Sequence, residues 1–96
     1  MEYEVLITAQ AEAEFEDLIS YLESNAYFEA AEKLTKNFFH VLSLLERYPE
    51  MYPAVKQDPT LRRAVILSKS VMYYRIEGNK VVVKSFIDGR RERAGM

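Results

Sequence analysis

The feature that most constrains this chain is a change of apolar period at Leu61. Upstream, apolar residues recur three and four positions apart. Ala11, Phe15, Leu18, Ile19 and Leu22 form one stripe. Ala30, Leu34, Phe38, Val41 and Leu45 form a second, widened by Ala31 and Leu42. That spacing gathers each set on one face of an α-helix. From Leu61 onward the period falls to two, the repeat of a pleated strand. Helices with one apolar stripe and strands with one apolar face bury each other when the helices lie on the sheet, which is an α+β arrangement.

The boundaries follow from local chemistry. Residues 2–7 read as a short strand. Thr8 offers an N-cap hydroxyl, and Glu12, Glu14, Glu16 and Asp17 crowd the first turns, where carboxylates suit the positive end of the helix dipole. Ser24-Asn25 breaks the pattern, and a second helix runs from about residue 27 to 47. Pro49 ends it, because proline disfavours helical angles at Tyr48. Two helices joined by so short a break form an antiparallel hairpin. Residues 50–60, with Pro53 and Pro59, read as a loop. Three strands follow, at 61–67, 71–77 and 80–87.

Gly78-Asn79 between the last two strands is a two-residue hairpin loop, glycine accepting the positive φ of a type II′ turn. The turn sets a register: Glu77 opposite Lys80, Ile76 opposite Val81, Arg75 opposite Val82, Tyr74 opposite Val83, and Tyr73 opposite Lys84. Alternation then sends Met72, Tyr74, Ile76, Val81, Val83 and Ile87 toward the helices. Tyr73, Arg75, Val82, Lys84 and Phe86 point away. The expected order is β-α-α-β-β-β: one domain over residues 1–96, a two-helix hairpin on one face of a largely antiparallel sheet.

Charge is sorted along the same division. Residues 1–61 carry four Lys/Arg against twelve Asp/Glu, and residues 62–96 carry nine against three, so a net −2 hides opposite halves. The second half is thereby expected to meet something negative, either nucleic acid or an acidic partner. Other classes recede. No cysteine is present, so there is no disulfide, thiolate nucleophile or cysteine metal site, and one histidine makes a His-based metal centre improbable. No cofactor or metal is expected. No apolar run approaches the ~18–20 residues of a membrane span. The opening Met-Glu-Tyr-Glu-Val lacks a basic and apolar export signal, which makes the cytoplasm the default address.

Three constellations carry candidate chemistry. Gly89-Arg90-Arg91-Glu92-Arg93 puts three guanidiniums just past a strand, able to fork onto phosphates or to stabilise developing negative charge. A solvated basic end is the competing reading. The outward set Tyr73, Arg75, Lys84 and Phe86 mixes cations with aromatics, as nucleic-acid surfaces do. Its Val71, Val82 and Phe86 would form a contiguous apolar patch, which favours a face covered by protein. Arg62-Arg63 opens a strand, one outward and one near the sheet edge. Glu12, Glu16, Ser20 and Glu23 line up on one side of the first helix, and read as a solvated face. His40 has no acid, serine or cysteine set with it, and reads as a packing or surface residue.

Taken in order, these pieces resemble the RelE/ParE superfamily of type II toxin–antitoxin toxins. They are the strand ending at Thr8, then Ala11, Phe15, Leu18, Tyr21 and Leu22. The second helix follows, ending in Glu46-Arg47-Tyr48-Pro49-Glu50. Leu61-Arg62-Arg63, the strand from Val71 to Ile76, Val81-Val82-Val83 and Asp88-Gly89-Arg90-Arg91 complete the set. The resemblance covers almost the whole chain and implies a helical hairpin packed on a largely antiparallel sheet. It also implies a cognate antitoxin bound in a hetero-oligomer, growth inhibition and plasmid stabilization.

The superfamily has two activity branches. The branch of ribosome-dependent mRNA endonucleases would place catalytic roles on Arg62 and Arg91. It carries an arginine where Val71 stands and a late tyrosine or histidine as acid or base, and this chain has neither. The branch that poisons DNA gyrase acts by protein binding and fits these absences. A ParE-like inhibitor is therefore the expected function, with Arg63, Tyr73, Arg75, Lys84, Phe86, Arg90 and Arg93 holding target or antitoxin. The alternatives are the mRNA endonuclease and a non-toxic binding module.

Overall fold

The computed structural model describes residues 2–89. The elements are β1 (Glu4–Ile7), α1 (Ala9–Ser24), α2 (Phe28–Leu45), β2 (Leu61–Leu67), β3 (Ser70–Glu77) and β4 (Lys80–Asp88). The four strands form one sheet in the order β1-β4-β3-β2. β1 runs parallel to β4, and the other neighbours are antiparallel. The β-α-α-β-β-β order and the helical hairpin on one sheet face are as the periodicity predicts.

Thr8 caps α1 as expected: its Oγ1 accepts from the Ala11 N–H at 3.1 Å. α1 lies chiefly over β4 and α2 over β2, so the hairpin spans the sheet. Leu18, Leu22, Leu34 and Leu45 from the helices meet Met72, Tyr74, Val81 and Val83 from the sheet, all of them buried. Removing each such apolar side chain from water contributes roughly 1.5–3 kcal/mol. The Tyr74 hydroxyl, sealed in this layer, donates to the Pro49 carbonyl at 2.6 Å and ties the segment after α2 to the core.

Gly78 has φ 63°, the left-handed conformation the tight loop needs. The predicted register holds from Glu77↔Lys80 to Tyr74↔Val83 and then fails. Tyr73 pairs with Ser85, leaving Lys84 as an extra residue in β4. This is a β-bulge, and it inverts the side-chain alternation beyond it. Phe86, expected outward, is instead 4% exposed and belongs to the core. Ile87, expected inward, shares its outward position with Val71, its strand partner.

Two features of the helices hold the bulge. Thr8 donates from its backbone N–H to the Val83 carbonyl at 3.0 Å and from Oγ1 to the Lys84 carbonyl at 3.2 Å. Glu14 of α1 accepts from the Phe86 N–H at 2.9 Å. The inverted Phe86 ring stands edge-on to Phe15 and Phe38, which stack on each other at 4.3 Å. A second irregularity, in β2 between Val65 and Leu67, is met by Asn37 of α2, which donates to the Ile66 carbonyl at 3.0 Å.

Candidate interaction surface

The sheet face turned away from the helices is built in rows that the register fixes. Leu61, Arg75, Val82 and Leu6 stand side by side across all four strands. Arg63, Tyr73 and Ser85 form the next row, and Val65, Val71 and Ile87 the third. No described element lies over this face, and Leu6 and Val65 remain 38% and 47% exposed. The result is an apolar strip crossed by cations.

A recess of about 320 Å³ opens between the second and third rows. Its lining includes Arg63, Lys69, Val71, Tyr73 and Ile87, together with Gly89, the residue after β4. Ser68, at φ 51°, turns the chain from β2 into β3 and brings Lys69 to the recess. Among the described residues neither Arg63 nor Lys69 has an ion-pair partner. Two unpaired cations beside valine and isoleucine suit a ligand that is anionic and apolar at once, such as an acidic amphipathic segment.

The remaining predicted site residues divide. Arg63 and Tyr73 meet directly, as cross-strand partners. Arg75 is on the same face, but its guanidinium pairs with Asp58 at 3.4 Å. Asp58 is held below the usual carboxylate range, chiefly by the Thr60 hydroxyl, then by the Thr60 N–H and the nearby Arg75 charge. Lys84 pairs with Glu77 at 3.1 Å. Arg62 departs from the rest. It pairs with Tyr74 on the inward side and donates to the carbonyls of Tyr52 at 2.7 Å and Glu50 at 3.3 Å. Its role in the fold is to fasten the 50–52 loop. Phe86 is withdrawn from the surface by the bulge, and Arg90, Arg91 and Arg93 lie outside the described residues.

Lys69 and Ile87 are the members of the recess that sequence reasoning missed. The polar pair Ser68-Lys69 between two strand-like runs is the available signal for the first; the second depends on the bulge and has none. His40 is exposed on α2, on the other layer. No group of three or more His, Cys, Asp or Glu side chains that could hold a metal occurs among the described residues. No described helix is long and apolar enough to cross a membrane.

Fold and face together define a small two-layer α+β domain with an open, cation-bearing sheet suited to binding a macromolecule. The sequence matches the family described as "ParE toxin of type II toxin-antitoxin system, parDE" over residues 5–93, and the chain belongs to that family, within the RelE/ParE superfamily. No curated protein matches at a significant level. Among solved structures, a chromosomal ParDE system from P. aeruginosa is similar with a TM-score of 0.75 at 12% identity, over 91% of this chain and 96% of that one. The toxin–antitoxin complex RelBE2 from Mycobacterium tuberculosis is similar with a TM-score of 0.58 at 20% identity, over 92% and 99%. The YoeB dimer from Staphylococcus aureus gives 0.60 at 18% identity, over 88% and 94%. At these identities the likenesses establish the shared fold.

Proposed function

We propose that this chain is a ParE-like growth inhibitor acting by binding a target protein, with DNA gyrase the candidate target, and neutralised by a cognate antitoxin that covers the outward sheet face. The observation that carries the reading is that face: an apolar strip whose Leu6 and Val65 stay exposed, with Arg63 and Lys69 beside it and without ion-pair partners among the described residues. An acidic segment that folds on binding would bury the apolar rows and supply the missing counter-charges. The family match and the similarity to a ParDE system favour binding over cleavage. So does Arg62, whose guanidinium is bonded to the loop carbonyls on the side opposite the recess.

Inducible expression, with and without the neighbouring gene, tests the proposal when growth, RNA ends and gyrase–DNA cleavage complexes are read together. The expected outcome is growth arrest with cleavage complexes and intact mRNA, relieved by the neighbouring protein. An Arg63→Glu/Lys69→Glu variant should lose antitoxin binding while remaining folded. Ribosome-dependent cuts within translated codons, abolished by Arg91→Ala, would establish the endonuclease instead. Harmless expression at high level would mark a binding module without toxicity.

A further inference from the structure

The helical layer carries a second groove, on its solvent side, that the sheet face does not explain. At one end, Ile7, Phe15, Phe38 and Phe39 enclose a cleft of about 350 Å³ whose rim is formed by Glu12 and Glu16. Further along the hairpin, Ile19, Ala31 and Phe28 floor an open depression of about 630 Å³, with Glu23 on the α1 side. Phe28 and Phe39 are 64% and 58% exposed, although rings of this size are ordinarily covered. Both hollows are lined from α1 and α2 along the same seam, and from Glu12 to Glu23 α1 rises roughly 16 Å, about three helical turns.

The two walls differ in charge. The α1 wall presents Glu12, Glu16 and Glu23, and none of these makes an ion pair among the described residues. The α2 wall of the depression carries Glu32 and Lys36, which pair with each other at 3.5 Å. An apolar floor with one uncompensated acidic wall fits a helix with an apolar stripe flanked by lysine or arginine, seated lengthwise. Such a helix would cover the phenylalanines and neutralise the wall. An acidic segment of the kind the sheet face suits would be repelled here.

We infer that the outer groove between α1 and α2 docks a basic amphipathic helix of a partner protein. The molecule then offers two faces of opposite preference, an anionic ligand on the sheet and a cationic one on the hairpin. The inference stands independently of the proposed toxin activity, because it uses neither the recess nor the tail.

Fluorescence anisotropy with the full chain tests it, using as probe a labelled 18-residue peptide of leucines at helical spacing flanked by lysines. A scrambled peptide of the same composition serves as comparison. The basic amphipathic peptide is expected to bind at least tenfold tighter than the scrambled one. Glu12→Gln/Glu16→Gln should weaken it by about fivefold, the sum for two exposed ion pairs. Phe39→Ser should weaken it further, and Arg63→Ala should leave it unchanged. Equal binding of the scrambled peptide, indifference to the Glu12/Glu16 and Phe39 variants, or no binding at all would overturn the inference. So would self-association of the chain that Phe39→Ser abolishes, since the groove would then belong to a second copy.

Discussion

Replacing Glu14 with alanine isolates the contact on which the geometry of the outward face depends. The Glu14 carboxylate accepts the Phe86 N–H at 2.9 Å, one residue past the ladder pairing of Ser85, where the bulge has interrupted the alternation. Hydrogen bonds to a charged acceptor contribute about 1.5–3 kcal/mol, and this one is partly buried, so a loss of about 2 kcal/mol is expected. Alanine returns about 0.3 kcal/mol through its better helix propensity. The net is a fall in Tm of roughly 7–14 °C for a domain of this size. Glu14→Gln keeps an acceptor oxygen and should lose about half as much. Glu16→Ala, on the same helix but exposed and without an ion-pair partner, should stay within about 0.5 kcal/mol of the parent. Thermal melts followed by circular dichroism give the stabilities, and hydrogen exchange at the Phe86 amide reports the bond itself. If Glu14→Ala melts with Glu16→Ala and the Phe86 amide exchanges no faster, the carboxylate does not hold the bulge.

Phe86→Ala should cost about 3–5 kcal/mol in urea unfolding, the cost of emptying a buried aromatic site, whereas a surface phenylalanine would cost little. Tyr74→Phe removes the bond to the Pro49 carbonyl and should destabilise by about 1–2 kcal/mol in the same assay. Burial raises the Tyr74 pKa above its ordinary 10.0, so the folded protein keeps a proton that the unfolded chain gives up. That contribution is complete below pH 10 and is lost as pH rises through the elevated value, and alkaline melts of Tyr74→Phe should lack the loss. Asp58 has the opposite sign. Its pKa lies below the ordinary 3.8, so its stabilisation is present above that value and fades as pH falls through the lowered one. Asp58→Asn should melt earlier than the parent at neutral pH and converge with it in acid.

What the sequence discloses is what its neighbours decide. The helices announce themselves through apolar spacing, and Thr8 caps α1 because the hydroxyl needs only the amide three residues on. The hairpin register is legible from Gly78-Asn79 because the constraint travels residue by residue from the turn, as far as Tyr74↔Val83. It stops being legible at Lys84, where the pairing is set by Thr8 and Glu14, 76 and 72 residues away in the chain. No local pattern encodes a bulge of that origin, and one added residue moves Phe86 and Ile87 to opposite faces. Arg62 illustrates the same limit. Adjacent arginines at the start of a strand must diverge, but that Arg62 serves the 50–52 loop and Arg63 the recess depends on where the loop returns.

The charge asymmetry gains a different meaning once the layers are in place. Counted along the chain, the last third holds an excess of cations that suggests a broad grip on an anionic ligand. Folding spends part of that excess internally. Asp58 takes Arg75, Glu77 takes Lys84, and the carbonyls of Glu50 and Tyr52, with the Glu50 carboxylate at 4.0 Å, take Arg62. Two of the three acids come from the loop before β2, which folds back along the edge through Ala54 and Arg62. The acidic first half is therefore not inert solvated surface: its loop disarms the sheet's own cations, and its first helix keeps a wall of carboxylates for the outer groove. On the sheet, the recess cations left to meet a ligand among the described residues are Arg63 and Lys69, which stand beside Val71 and Ile87. An acidic segment with apolar side chains gains from both these charges and the apolar strip beside them.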